Sequence, residues 1–74
     1  MEGRIVVDPA ILAGKPVIAG TRIPVYLILN LLAHGYDFEQ IIQAYPVLDK
    51  EDIKAAIRYS EGRMKREEVR VFHE

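Results

Sequence analysis

Between Asp37 and Tyr59 the segment DFEQIIQAYPVLDKEDIKAAIRY carries two helix-start signals with a proline between them, which restricts it to two short helices joined by a tight turn. Asp37 stands where an N-cap carboxylate accepts from the first free backbone N–H groups, and Gln40, three residues on, closes a capping box. Asp49 and Asp52 repeat the arrangement at the second start. Pro46 stops the first helix, because its ring cannot continue the hydrogen-bond ladder and drives Tyr45 out of the α region. Helices joined by so short a turn cross steeply, the geometry with which a helix-turn-helix presents its second helix to a DNA major groove. The same pattern also describes an ordinary packed helix pair, and the glycine common in the DNA-binding turn is absent here.

At 74 residues the chain reads as a single domain, residues 1–74. A domain of this size buries only about 60% of the surface its unfolded chain exposes. Small domains add disulfides, metals or self-association. The absence of cysteine removes disulfides and thiolate metal sites, so self-association remains and a homodimer is the expectation, with no cofactor. A cysteine-free chain suits a reducing compartment. The IVV run near the N-terminus is too short for a signal peptide, and the longest apolar stretch, Val25 to Ala33, falls far below the roughly 20 residues that span a bilayer. A cytoplasmic protein with no membrane partner is expected.

The net charge of −1 argues against strong non-specific attraction to nucleic acid. Its distribution softens that objection. Within residues 54–66, Lys54, Arg58, Arg63, Lys65 and Arg66 face only one carboxylate, Glu61. A solvated helix face would show such a run too, with Glu61 and Lys65 paired at i,i+4.

In chain order, residues 1–23 read as short strands and turns. RIVV favours a strand over 4–7, and AILAG forms one helical turn closed by Gly14. Val17 and Ile18 extend a second strand before Gly20 permits a turn, and Pro24 suits the first position of a helix over 24–34. Eight of the nine residues from Val25 to Ala33 are apolar. Val25, Ile28, Leu29 and Leu32 share one face, while Leu27 and Leu31 point the other way and predict a contact with another chain. Gly35 is the C′ glycine. Residues 37–61 hold the helix pair. In its second helix Ile53, Ala56, Ile57, Ser60 and Met64 form the core stripe, with Lys50, Glu51, Lys54, Arg58, Glu61 and Lys65 opposite. Residues 62–74 read as a basic segment and a terminal strand, in which Val69 and Val71 alternate with Arg70 and Phe72 and pair antiparallel with Ile5 and Val7, either within one chain or exchanged between two. The predicted fold is mainly α, a three-helix bundle with short β-strands near both termini.

The sequence offers no catalytic constellation. Gly14-Lys15 runs into Pro16 where a phosphate-binding loop needs Ser or Thr, and His34 and His73 stand without companion ligands, so neither enzyme chemistry nor a metal site is expected. If the second helix enters a groove, Arg58 suits a base edge, while Lys50, Lys54 and Lys65 suit phosphates. Leu27, Leu31, Val69, Val71 and Phe72 are the candidate partner interface.

The run Gly14-Lys15-Pro16, then Gly20-Thr21-Arg22-Ile23-Pro24-Val25, followed by Tyr45-Pro46 and Leu48, resembles the prokaryotic domain-of-unknown-function 433 family over about residues 4–60. The resemblance implies a homeodomain-like helical fold with a short β element. It also implies an antitoxin role beside a PIN-like toxin partner, and with it a DNA operator. Gly20, Arg22 and Pro24 then form a structural turn, in which Arg22 either braces the loop against a carboxylate such as Asp8 or touches a DNA backbone. The bracing role is the expected one, since a buried arginine requires a partner. The competing reading of the whole chain is a protein-interaction or dimerisation subunit without a DNA role.

Overall fold

The computed structural model describes residues 3–72, with side chains for residues 3–62. Two two-residue strands, β1 (Ile5–Val6) and β2 (Val17–Ile18), precede three helices, α1 (Val25–Ala33), α2 (Phe38–Ala44) and α3 (Lys50–Phe72). The strands pair antiparallel, Ile5 opposite Ile18 and Val6 opposite Val17. Val17 also bridges Pro24, and the Ile18 N–H donates to the Ile23 carbonyl at 3.0 Å, so a third arm completes the ribbon. Residues opposite one another share a face. The row Ile5, Ile18, Ile23 therefore looks toward the helices, and all three join the core.

That core is built by periodicity. Ile28, Ile41 and Ile53, one from each helix, are fully buried, with Leu48 and Ala56 beside them. Leu48 precedes the N-cap Asp49 and packs in the same cluster as Ile53, the spacing of a hydrophobic staple. Val17 is only 1% exposed yet stands outside this cluster, so the outer face of the ribbon is covered as well.

Both predicted capping boxes are present. Gln40 N–H donates to Asp37 at 2.8 Å while Asp37 N–H donates to the Gln40 side chain at 2.9 Å. Asp52 N–H donates to Asp49 at 2.9 Å while Asp49 N–H donates to Asp52 at 3.1 Å. α1 ends as Gly35 implied. With φ +92° at Gly35, its N–H reaches the Leu32 carbonyl and the Tyr36 N–H reaches that of Leu31, the two bonds of a Schellman motif.

Three local expectations are corrected. Pro24 caps α1 from an extended conformation instead of opening the helix, because it is held in the bridge to Val17. The single turn of AILAG forms over Leu12–Gly14 and is closed by glycine, but it is left-handed, with φ +50° at Leu12, +56° at Ala13 and +85° at Gly14. Each non-glycine residue there costs roughly 1–2 kcal/mol. Residues 69–72 belong to α3 and not to a strand, so β1 pairs with β2 instead of with the C-terminal segment. Once α3 is nucleated, adding residues is cheap, and the good helix formers after Gly62 continue it.

Candidate functional site

α3 begins where three carboxylates crowd together, Asp49, Glu51 and Asp52. They favour the positive end of a helix, yet Asp52 also lies one step from Ile53 on the buried side of α3 and is 8% exposed. A carboxylate so placed needs a partner, and Arg4, just before β1, provides it. Arg4 Nη1 donates to Asp52 Oδ1 at 2.8 Å and to Asp49 Oδ1 at 3.2 Å. The pair is closed on its other side by the capping box, since Asp52 Oδ2 accepts from the Asp49 N–H. The Asp52 N–H, and after it the charge of Arg4, hold the Asp49 carboxyl below the usual carboxylate range. The hydrogen bond to Asp52 raises the Arg4 guanidinium further above its already basic value. This clasp fixes the ribbon to the first turn of α3. Sequence reasoning overlooked it, because Asp52 was read only as the second half of a capping box.

The candidate nucleic-acid residues fall next to the clasp. Lys50, Lys54 and Arg58 recur at i,i+4 on α3 and all three are exposed. Lys54 Nζ lies 3.5 Å from Glu51 Oε2, so part of the charge of this face is met internally. The side chain of Lys65 lies outside the described residues, as do those of Val69, Val71 and Phe72 and all of His73.

The expected division of α1 holds only in part. Leu31 packs against the core, whereas Leu27 is half-buried and stands outside that cluster. The wide apolar face of α1 is taken up by the ribbon and the other helices, so Leu31 is not free for a second chain to the extent expected. Exposed apolar surface lies elsewhere, at Tyr26 on α1, where Lys15 Nζ sits 5.4 Å from the ring centre, and at Val47 in the turn before α3.

The bracing role of Arg22 is overturned. Arg22 is exposed and makes no ion pair among the described residues. Asp8 instead accepts from the Ala10 N–H at 2.9 Å, within its own turn. The loop is braced by Thr21, whose hydroxyl donates to the Ile18 carbonyl at 2.7 Å and accepts from the Ile23 N–H at 3.0 Å. Gly20, with φ +78°, keeps its predicted role. His34 Nδ1–H donates to the Asn30 carbonyl at 2.7 Å, an end-of-helix role. Among the described residues no group of His, Asp and Glu is placed to hold a metal ion, and no helix is long and apolar enough to cross a membrane.

Residues 5–60 match the family described as "Protein of unknown function (DUF433)". The chain belongs to this family. Over 65 residues it is 43% identical to the "Uncharacterized protein y4eO" of Sinorhizobium fredii (strain NBRC 101917 / NGR234), covering 88% of this chain and 29% of the relative. A crystal structure of a DUF433 member protein from Anabaena variabilis ATCC 29413 superposes with a TM-score of 0.80 at 29% identity, covering 88% of this chain and 64% of that one. The chain thus spans under a third of the rhizobial relative and somewhat less than two thirds of the cyanobacterial one.

Proposed function

We propose that the chain is an antitoxin-like DNA-binding module in which α2 and α3 act as a homeodomain-like helix-turn-helix. The observation that carries this reading is the outer face of α3. Lys50, Lys54 and Arg58 stand exposed on successive turns of the helix that follows a five-residue turn from α2, residues 45–49. Arg58 would address a base edge, and Lys50 and Lys54 the phosphates. A homodimer would double this small cationic footprint and set two half-sites about 34 Å apart. A PIN-like toxin is the proposed protein partner, the cytoplasm the proposed compartment, and no catalysis is assigned to the chain.

Two observations favour a second reading, a protein-interaction or dimerisation subunit without a DNA role. Lys54 already faces Glu51, while Val47 and Tyr26 leave apolar surface exposed. Salt separates the two, because each neutralised phosphate contributes a slope of roughly −0.9 in log affinity against log salt. Fluorescence-anisotropy titration with a duplex from upstream of the chain's own gene, against scrambled duplex, is the test. Salt-dependent, sequence-selective binding that Lys54→Ala with Arg58→Ala removes supports the DNA reading. Folded protein that binds neither duplex overturns it.

A further inference from the structure

The GTRIPV segment is the part of the chain the α3 reading leaves unused. Its loop, residues 19–22, is held from inside by three hydrogen bonds besides the closing one between Ile18 and Ile23. Thr21 N–H donates to the Ile18 carbonyl at 3.0 Å, and the Thr21 hydroxyl bonds both Ile18 and Ile23. On this stiff loop Arg22 is exposed and engages no acid among the described residues. An arginine whose backbone is already fixed loses less freedom on meeting a ligand than one on a mobile loop.

Topology then decides where this arginine stands. The Ala19 N–H donates to the Arg4 carbonyl at 2.8 Å, so the loop leaves the ribbon at the end where Arg4 begins β1. That same Arg4 is clasped to Asp49 and Asp52 in the first turn of α3. With strands about 4.8 Å apart, Arg22 lies roughly 10 Å from Arg4 across two strand spacings. The register thus sets Arg22 in one row with Ala19 and Arg4, and the guanidinium of that Arg4 reaches the first turn of α3.

We infer that Arg22 is a phosphate-contacting residue for the duplex that α3 addresses, with the β-ribbon setting it on the nucleic-acid backbone beside the groove. This inference rests on the DNA-binding reading above. Arg4 matters to it twice, since it offsets one of the two carboxylate charges it meets, at Asp49 and Asp52, and ties the ribbon to the helix. A phosphate contact adds affinity without sequence preference.

The test compares wild type, Arg22→Ala and Lys54→Ala with Arg58→Ala on the upstream and scrambled duplexes across a salt series, with thermal unfolding of each variant. The expected result is that Arg22→Ala weakens both duplexes by a similar factor, flattens the salt slope by about one phosphate, roughly 0.9, and leaves the melting temperature unchanged. Arg22→Lys should restore part of the affinity. If the α3 variant loses DNA while Arg22→Ala binds as wild type, the inference fails and the α3 reading stands. If wild type binds no duplex, both fail. A fall in melting temperature for Arg22→Ala, or the loss of a bound protein partner with DNA affinity intact, also overturns the phosphate role.

Discussion

The helical core and the β-ribbon of this small domain are stabilised by different physics. Ile28, Ile41 and Ile53 meet in a cluster where burial is complete and direction matters little. The ribbon has two-residue strands and depends on individually placed groups, the Thr21 hydroxyl, the Arg4 guanidinium and the glycine conformations at positions 14 and 20. Apolar burial is non-directional and tolerates drift, whereas a hydrogen bond is sensitive to its geometry. The ribbon is thus the more precisely specified of the two, although Ile18 anchors it in the same core, and the proposed recognition loop sits on it.

The contrast is most easily broken in the core. Ile53→Ala empties a fully buried position on α3 and should cost about 2–5 kcal/mol, enough to unfold much of a domain of this size in a urea titration. A loss below about 1 kcal/mol would mean that the helices are not held as described.

The clasp between the two regions comes next. Asp52→Ala removes the nearer of the two acceptors of Arg4 and the acceptor of the Asp49 N–H, and should cost about 1–2 kcal/mol in the same titration. It should also quicken amide exchange in β1 more than in α2. Acid should act in the same direction. Because the folded Asp49 carboxyl is held below its unfolded value, its stabilisation is complete above the ordinary carboxylate range and is lost as the pH falls through the lowered value. The raised value of Arg4 keeps its guanidinium charged throughout the acid range. NMR spectra through an acid titration should show Ile5 and Val6 amides changing before those of the core.

Smaller effects distinguish the turns. Thr21→Val keeps the shape but removes two hydrogen bonds, and should cost about 1 kcal/mol while raising exchange at the Ile23 N–H. Ala13→Gly should have the opposite sign, raising stability by up to about 1 kcal/mol, because glycine accepts φ +56° without a Cβ penalty. A loss of stability at Ala13→Gly would show that the left-handed turn is not strained.

What the sequence made legible follows the same division. The helix pair, both capping boxes, the C′ glycine and the stripe of Ile53, Ala56 and Ile57 were readable because periodicity and capping are local signals. The hand of the turn at Leu12–Gly14 was not, since nothing in LAG demands positive φ from a leucine and an alanine. The C-terminal alternation EEVRVF misled for a related reason: a period of two over six residues competes poorly with a helix already running into it. The arginine that meets carboxylates is Arg4 and not Arg22, and a strand-end arginine and a loop arginine look alike in sequence. Only the pairing of β1 with β2 decides which of them reaches the carboxylates. Of the candidate site, Lys50, Lys54 and Arg58 came from helical spacing, while their link to the ribbon came from contacts forty-five and more residues apart in the chain.

The most direct test of the account is an amide chemical-shift titration of the chain with the upstream duplex. The expected shifts are concentrated in two places, residues 19–22 of the loop and residues 50–58 of α3, with Ile28 and Ile41 unmoved. Shifts confined to the surface around Tyr26 and Val47, or none at saturating duplex, would contradict it.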